Sequence, residues 1–190
     1  MAEIVLVRHG QTEWSASGQH TSYSDIELTP TGERQAAELG ARLEDRAFAA
    51  VISSPRERAV RTAELAGLRI TEIDDDLAEW NYGRYEGITS KEIHERYDPT
   101  WSLWTDGAPE GETPPQVGAR VDRVLAKAAK LLDQGDVALV GHGHTLRVVG
   151  ARWIGLGPEG GGLLKLDTAT ISVLGFEHGT RVILQWNSGR

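Results

Sequence analysis

The sequence predicts an α/β fold, a three-layer α/β/α sandwich with a mainly parallel central sheet and an antiparallel edge strand. Short continuous apolar runs, such as residues 4–7 and 137–140, are typical of strands buried on both faces. Amphipathic helical patterns separate these runs, and this alternation favours parallel pairing through helical crossovers. The last apolar segment, 170–186, contains the turn signal His178-Gly179 and predicts a β-hairpin.

The first half of the chain alternates strands and helices. After the first strand, the segment 27–46 predicts a helix, because Thr29-Pro30 supplies an N-cap and a first-turn proline. An apolar run at 49–54 predicts a second strand. Ser54-Pro55-Arg56-Glu57 matches a capping box and predicts a helix from there to about residue 65.

The remaining elements follow from apolar periodicity and from glycine and proline content. They are a third strand within 68–77, a short helix at 91–97, an amphipathic helix at 117–132, the strand at 137–140, a helix at 146–154 and a flexible glycine-rich link at 155–162. We therefore predict one domain over residues 1–190, with an aromatic, irregular insertion at about 80–115.

Composition excludes several classes of protein. The chain has 28 Asp+Glu against 20 Lys+Arg, a net charge of −8, so it is a poor general binder of nucleic acid or anionic membrane. Cysteine is absent, which excludes disulfides, cysteine-ligated metals and a cysteine nucleophile. No apolar run approaches the roughly 20 residues of a membrane span. The first residues lack the basic region of a signal peptide, and we predict a cytoplasmic protein.

Two strands end in the same way, and this is the main chemical signal. Arg8-His9-Gly10 follows the first strand, and Gly141-His142-Gly143 follows the strand at 137–140. Because the carboxyl ends of parallel strands meet at one edge of a sheet, we expect His9 and His142 to lie close together. The alternative is that each histidine merely ends a strand and is satisfied by backbone groups.

Arginines near these histidines indicate phosphate chemistry. Arg8 precedes His9, and Arg58 lies in the first turn of the second helix, whose N-terminus favours anions. Guanidinium groups bind phosphate oxygens, a neutral imidazole can attack phosphorus, and a second, protonated histidine would stabilise the equatorial oxygens. The alternative for Arg58 is a solvated surface position, since other arginines lie nearby.

Departure of an alkoxide from phosphorus requires a proton donor. Glu13, Glu79 and Glu86 are the candidates, and the alternative for each is an ordinary solvated carboxylate. A carboxyl buried beside Trp80 and Tyr82 is expected to have a raised pKa and to stay protonated. We therefore predict highest activity at mildly acidic pH.

Five segments together resemble the histidine phosphatase superfamily, whose fold is phosphoglycerate-mutase-like. They occur in the family's order through nearly the whole chain: LVRHGQTEW, LTPTGERQA, SSPRERAVRTA, LAEWNYGRYEG and VGHGHTLR. The resemblance implies that His9 is the nucleophile and Glu79 the general acid. It places Arg8, Arg58 and His142 in the phosphate pocket, and it implies a reaction without cofactor or metal ion.

Further phosphate and substrate contacts are expected near these residues. The family's usual Trp-Asn pair is Trp14-Ser15 here, so Ser15 keeps one donor to phosphate in a weaker or rearranged contact. The backbone N–H of Gly143 also faces the phosphate in this resemblance. The expected substrate- or phosphate-binding residues are Arg8, Ser15, Gln19, His20, Thr21, Arg58, Tyr82, His142 and Gly143.

The resemblance covers both phosphatases and phosphoglycerate mutases. Family mutases carry an arginine just after the acid and an arginine pair beyond the later tryptophan, where this chain has Trp80 and Thr105-Asp106. The basic residues left in this region are Arg84, Lys91 and Arg96. We therefore predict a phosphatase similar to the broad acid phosphatases and sugar bisphosphatases, acting on a small phosphorylated sugar or related metabolite. A phosphoglycerate mutase is the alternative.

Other hypotheses for function, for the two later tryptophans and for assembly are also compatible with the sequence. The pair His142 and His144 would suit a metalloenzyme, although a metal site also needs further ligands. A binding module would keep the pocket without the chemistry, but it would have no reason to keep all five catalytic candidates. Trp101 and Trp104 either form a wall of the substrate pocket or pack the insertion onto the core. The edge of the hairpin offers a site for a homodimer.

Overall fold

A computed structural model describes residues 2–189; the predicted domain also includes Met1 and Arg190, which lie outside the described residues. The strands of the described chain are β1 (Ile4–Arg8), β2 (Phe48–Ser53), β3 (Glu72–Ile73), β4 (Asp136–Gly141), β5 (Ile171–Glu177) and β6 (Thr180–Ser188). Its α-helices are α1 (Glu13–Ser17), α2 (Pro30–Leu43), α3 (Glu57–Leu65), α4 (Ser90–Arg96), α5 (Leu103–Asp106), α6 (Pro114–Leu131) and α7 (Gly143–Trp153). Its 3-10 helices span Asp75–Leu77, Gly83–Tyr85 and Pro158–Leu163.

The strands form one sheet in the order β3-β2-β4-β1-β5-β6. β1 to β4 run parallel to one another, while β5 and β6 pair antiparallel at one side. The predicted α/β fold with an antiparallel edge is confirmed. β1 lies beside β4 with Arg8 in register with Gly141, so the residues that follow these strands emerge side by side.

Hydrophobic clusters cover both faces of the sheet. Along β1, Ile4 and Leu6 belong to one cluster while Val5 and Val7 belong to the other, and all four side chains are buried. A strand covered on both faces has no polar side, which is why its sequence is continuously apolar. Each such side chain contributes about 1.5–3 kcal/mol on burial, so the sheet is a firm support for the loops at its carboxyl edge.

The helix after β2 begins later than predicted. α3 starts at Glu57 with Arg56 as an N-cap that makes no side-chain capping bond, so the predicted capping box at Ser54 is wrong. Ser54 Oγ instead lies 2.6 Å from Nε2 of His142. Its hydroxyl oxygen also accepts the N–H of Arg56 at 3.3 Å, so Ser54 binds the turn before α3 and not the helix itself.

The glycine-rich segment after α7 is not a flexible link. It forms the 3-10 helix Pro158–Leu163, in which Gly160 and Gly161 are buried. A Cβ on Gly161 would lie 2.5 Å from the ring of Trp104, so glycine is what lets this segment pack there. Composition alone does not distinguish glycines that permit motion from glycines that permit close packing.

The segment between β3 and α6 contains the predicted insertion. Trp80, Tyr82 and Trp101 are buried in the larger hydrophobic cluster, and the ring of Trp104 packs on Trp80 with centroids 5.8 Å apart. Trp101 and Trp104 therefore pack the insertion onto the core. None of the helices in the described part of the chain combines the length and apolar character needed to cross a bilayer.

Candidate active site

His9 and His142 meet at the carboxyl edge of the sheet, as the pairing of β1 with β4 requires. Their ring centroids are 5.2 Å apart, and the rings meet edge to face. His9 is 5% exposed and His142 is fully buried. After His9 the chain passes tightly against α2, since a Cβ on Gly10 would lie 2.4 Å from the carbonyl oxygen of Gly32.

His9 is held as a neutral imidazole with one free nitrogen. Its Nδ1 lies 2.7 Å from the carbonyl oxygen of Gly10, so Nδ1–H donates and Nε2 keeps its lone pair. Burial, together with the charges of Arg58 and Arg8, lowers the pKa of His9 to about 3. The ring is therefore neutral at physiological pH, which is the form that a nucleophile requires.

Ser54 fixes the tautomer of His142. Ser54 Oγ lies 2.6 Å from Nε2 of His142, and among the described residues this nitrogen is the only acceptor within reach of the buried hydroxyl proton, so the hydroxyl donates to it. The imidazole proton is then on Nδ1, which is buried without a hydrogen-bond partner. Burial and the charge of Arg58 lower the pKa of His142 well below its ordinary value, so the expectation of a protonated ring is wrong for this structure. The neutral ring still offers one donor.

Backbone carbonyls hold the two arginines. Nη1 and Nη2 of Arg58 donate to three carbonyl oxygens of the loop 21–24 at 3.0–3.1 Å. Nη1 of Arg8 donates to the carbonyl of Leu166. The Arg8 guanidinium packs against Gly143, where a Cβ would lie 3.1 Å from Cζ. In both arginines the Nε is buried and has no hydrogen-bond partner within residues 2–189.

Near His9, three buried groups have no hydrogen-bond partner among the described residues: Arg8 Nε, Arg58 Nε and His142 Nδ1 (Arg56 Nε is buried and unpartnered as well). Leaving a buried N–H unsatisfied costs about 1–3 kcal/mol, and folded proteins seldom do so without a reason. A tetrahedral oxyanion offers several acceptor oxygens in one small volume. The arrangement is suited to a phosphate group.

Glu79 lines the same cavity, and its carboxylate lies against the N-terminus of α7. Its carboxylate accepts the N–H groups of Trp80, His144 and Thr145 at 2.8, 3.0 and 2.9 Å. Burial alone would raise the pKa of Glu79, but His144 and these three backbone donors lower it to about 2. The prediction of a raised pKa is wrong, because helix-end N–H groups stabilise a carboxylate even when apolar rings bury it.

The other two candidate acids do not line this cavity. Glu13 is exposed in the first turn of α1. The carboxylate of Glu86 accepts the backbone N–H groups of Ser22 and Ser24. Glu79 is therefore the one candidate acid that shares a cavity with His9.

The cavity has a volume of about 220 Å³. It brings together most of the predicted residues: Arg8, His9, Ser15, Gln19, His20, Thr21, Glu79, Tyr82 and Gly143. Arg58 and His142 are not part of its lining, and both are almost fully buried. A larger groove of about 900 Å³ between the ends of α2 and α3 contains none of the predicted residues.

Several polar side chains of the lining already have protein partners. The hydroxyl of Ser15 accepts the N–H of Thr12 at 2.8 Å and donates to its carbonyl at 3.0 Å, within the capping box of α1. The amide of Gln19 donates to the carbonyl of Gly87 at 2.8 Å. These bonds shape the cavity, and contact of the two side chains with substrate stays a prediction.

Arg147 is a cavity residue that the sequence analysis missed. It lies one turn of α7 beyond Gly143, and its guanidinium sits 4.4 Å from the ring centroid of Trp104. Nε and Nη2 donate to the carbonyls of Gly161 and Gly162 at 2.9 and 3.2 Å. The spacing from Gly143 was a usable signal, because residues four apart share one face of a helix.

His144, whose role the sequence left open, also lines the cavity. Its Nδ1 lies 2.5 Å from the hydroxyl of Tyr82. Burial lowers the pKa of His144 to about 3 and raises that of Tyr82 well above its ordinary value, so the Tyr82 hydroxyl donates to a neutral ring. Within residues 2–189, histidine, aspartate and glutamate side chains form no group of three or more that would hold a metal ion.

The basic residues of the insertion point away from the cavity. They form ion pairs on the surface instead: Arg84–Glu110, Lys91–Glu95 and Arg96–Glu92. None of the three lines the cavity that holds His9. The insertion therefore contributes no cation to a second phosphate in the manner expected of a mutase.

Comparisons with known proteins find similarity over nearly the whole chain. The family model described as histidine phosphatase superfamily (branch 1) matches residues 4–189. An acid phosphatase of Mycobacterium tuberculosis is 44% identical over 180 residues, covering 94% of this chain and 88% of that protein. Sedoheptulose 1,7-bisphosphatase of Saccharomyces cerevisiae is 38% identical over 186 residues, covering 82% of this chain and 68% of that protein. The solved structure of a Mycobacterium tuberculosis open reading frame product is 41% identical with a TM-score of 0.96, covering 99% of this chain and 98% of that one.

Proposed function

The chain belongs to the histidine phosphatase superfamily, and we propose that it hydrolyses small phosphorylated metabolites through a phosphohistidine on His9, without a metal ion. The family and the names of the relatives confirm the prediction of a phosphatase. One observation supports these roles more than any other. An unpartnered buried N–H on each of Arg8, Arg58 and His142 lies beside a neutral imidazole with a free nitrogen.

Catalysis begins when the phosphoryl group of the substrate occupies this pocket. The three unpartnered donors bind its nonbridging oxygens, and Nε2 of His9 attacks phosphorus in line with the ester oxygen. The P–N bond forms as the P–O bond breaks. Charge on the equatorial oxygens is stabilised by donors that are already in place. Vanadate, which forms a trigonal bipyramid at such a site, should therefore inhibit.

Glu79 supplies a proton to the leaving oxygen, although it is ionised in the free protein. With its pKa near 2, the carboxyl holds no proton at neutral pH. The monoanion of a phosphomonoester carries one, because its second ionisation lies near about 6. Transfer of that proton within the complex places it on Glu79 and then on the departing alkoxide.

Hydrolysis of the phosphohistidine uses the same carboxylate in the opposite sense. After the alcohol leaves, Glu79 is again ionised and accepts a proton from a water molecule as its oxygen attacks phosphorus. The P–N bond breaks, Glu79 passes its proton to the released phosphate, and neutral His9 and ionised Glu79 are restored. Backbone donors from Trp80, His144 and Thr145 hold the carboxylate in place through both steps.

Arg147 supports a substrate with a second anionic group, such as a sugar bisphosphate. In the described part of the chain Arg147 forms no ion pair, whereas Arg152 on the same helix pairs with Asp122 at 2.8 Å. Glu79 is the one carboxylate among the cavity-lining residues. With a phosphoryl dianion between Arg8 and Arg58 and a proton on Glu79, the charge of Arg147 is left unbalanced.

Hydrolysis of nitrophenyl phosphate in the presence of EDTA tests the proposed function. We expect turnover that is insensitive to the chelator and that falls at least about a thousandfold in His9→Ala. His178→Ala is the matched control, because that histidine is exposed in the hairpin turn. Turnover that survives in His9→Ala would reject the mechanism. Isomerisation of phosphoglycerate without hydrolysis of any ester would favour the mutase instead.

Location and assembly remain part of this proposal. We place the reaction in the cytoplasm, where phosphorylated sugars are retained by their charge. We also propose that the outer edge of β6 pairs with a second copy of the chain. Leu184 on this strand is 50% exposed, and an uncovered edge strand is a natural pairing site. Light scattering at increasing concentration would detect the dimer.

A further inference from the structure

Arg58 is held by a loop that has no helix or strand of its own. The carbonyl oxygens of Thr21, Ser22 and Ser24 accept three hydrogen bonds from its terminal nitrogens, at 3.0–3.1 Å. These acceptors fix Nη1 and Nη2, so they also decide where the unpartnered Nε points. The orientation of the Arg58 side chain therefore depends on the conformation of the loop 21–24.

One carboxylate binds the opposite side of this loop. Oε1 of Glu86 accepts the N–H of Ser22 at 2.9 Å and the N–H of Ser24 at 3.2 Å, while Oε2 accepts the Ser22 hydroxyl at 2.5 Å. Glu86 was a candidate acid, yet it does not line the cavity of His9. Its carboxylate instead binds the loop 21–24, which holds Arg58.

A single peptide group joins Glu86 to Arg58. The peptide between Thr21 and Ser22 gives its C=O to Nη2 of Arg58 at 3.0 Å and its N–H to Glu86 at 2.9 Å. Hydrogen bonds to a cation at one end and to an anion at the other polarise the peptide in the same direction, so each strengthens the other. Among the described residues Arg58 has no carboxylate partner of its own, and this peptide carries the influence of Glu86 to it.

Glu86 itself is anchored by backbone pairing. The N–H of Gly87 donates to the carbonyl of His20 at 2.8 Å, and the N–H of His20 donates to the carbonyl of Ile88 at 3.0 Å. These bonds tie the residues after Glu86 to the residues before the loop. The carboxylate therefore meets the loop 21–24 from a fixed point.

We propose that Glu86 is a positioning residue that orients Arg58, through the loop 21–24, toward the phosphoryl group. The inference rests on the proposed function for the identity of the anion. Glu86 does not line the cavity of His9, so we expect its effect on catalysis to pass mainly through the loop to Arg58. Removing its charge should loosen the loop and leave the Arg58 guanidinium free to turn away from the pocket.

The test is a double-mutant cycle between Glu86 and Arg58, read by binding of orthovanadate in calorimetry and by kcat/KM for nitrophenyl phosphate. Glu86→Ala should raise the vanadate dissociation constant about tenfold, and Glu86→Gln, which keeps one acceptor oxygen, should raise it less. In an Arg58→Ala background, Glu86→Ala should cause no further change, because the group that it positions is gone. A purely structural role would weaken binding by the same factor in both backgrounds.

Asp98→Ala is the matched control. Asp98 lies in the same insertion, and its side-chain hydrogen bonds go to the N–H and hydroxyl of Thr100, both at 2.8 Å. It should bind vanadate as the wild type does, and thermal unfolding shows whether each variant folds. If Glu86→Ala does not fold, the cycle is run with Glu86→Gln.

Two results overturn the inference: wild-type vanadate affinity in a folded Glu86 variant, or additive losses in the double variant. Vanadate binding without any turnover by the wild type would instead contradict the proposed function and leave the positioning test intact.

Discussion

The hydroxyl of Ser54 donates to Nε2 of His142 across 2.6 Å, and this bond decides which nitrogen of the buried ring carries its proton. Ser54 follows β2 and His142 follows β4, so the parallel pairing of the two strands brings them together. Nδ1 of His142 is left as a donor with no protein acceptor. Ser54 thus orients the His142 ring so that its Nδ1–H is available to a bound phosphate.

Ser54→Ala should lower kcat/KM for nitrophenyl phosphate by about tenfold, because the lost hydrogen bond frees the ring to rotate or to exchange tautomer. Ser53→Ala is the control. Ser53 is also buried, but its hydroxyl donates to a backbone carbonyl and not to His142. Equal activity of the two variants would show that the tautomer of His142 is set by something other than Ser54.

The pH dependence of activity should follow the substrate and not Glu79. Since the pKa of Glu79 is about 2, its protonation should change activity only at a pH far below the range in which the enzyme is assayed. The proton enters with the monoanion of the ester, so kcat/KM for an alkyl phosphate should fall as pH rises above about 6. Esters with different second ionisations should shift this midpoint accordingly. A midpoint that is the same for all esters would contradict proton delivery by the substrate.

Substitution of Glu79 should separate esters by their leaving groups. Glu79→Gln should lower kcat/KM for a sugar phosphate by about a hundredfold or more, because a sugar alkoxide needs the proton. Nitrophenolate leaves without one, so kcat/KM for nitrophenyl phosphate should fall much less. Pre-steady-state kinetics would show whether the first step is spared. Equal losses for both esters would mean that Glu79 does not protonate the leaving group.

Arg147→Gln should weaken the preference of the enzyme for substrates with two anionic groups over substrates with one. We expect the ratio of kcat/KM for a sugar bisphosphate to that for nitrophenyl phosphate to fall by about tenfold or more, since a charge-assisted hydrogen bond is lost. Arg152→Gln is the control on the same helix, where the arginine pairs with Asp122. An unchanged ratio in Arg147→Gln would place the second anionic group elsewhere.

Acid should destabilise the fold through its buried histidines. Burial lowers the pKa of His9, His20, His142 and His144 in the folded protein, whereas the unfolded chain takes up protons near about pH 6.5. Stability from these groups is complete above that pH and is lost as pH falls toward each folded-state pKa, which is about 3 for His9 and His144, with a slope of about 1.4 kcal/mol per pH unit for each ring. Urea unfolding between about pH 7.5 and pH 5 measures the slope. A flat profile would show that the rings take up protons at the same pH in the folded protein as in the unfolded chain.

The layout of the pocket was predictable because it depends on strand order. His9 and His142 follow continuously apolar strands, and a parallel sheet brings such ends to one edge. The same logic placed Arg58 correctly in the first turn of α3, although the helix start was wrong. At these positions the local sequence pattern and the strand topology lead to the same prediction, and the family resemblance agrees with it.

The electrostatics of the pocket were not predictable from the sequence. Burial of Glu79 beside Trp80 was expected, but the N–H groups of α7 that lower its pKa come from 65 and 66 residues away in the chain. The loop partners of Arg58 and the packing of Arg147 on Trp104 likewise depend on long-range contacts. Pairwise contacts of this kind leave no periodic pattern in the sequence.

The most direct measurement is detection of phosphohistidine on the protein itself. Wild-type protein is mixed rapidly with a labelled phosphomonoester, quenched in base, and digested to locate the label. We expect up to one phosphoryl group per chain, stable in base and labile in acid, on the peptide that contains His9, and none in His9→Ala. Label on another residue, or product release without labelled protein in the wild type, would contradict nucleophilic catalysis by His9.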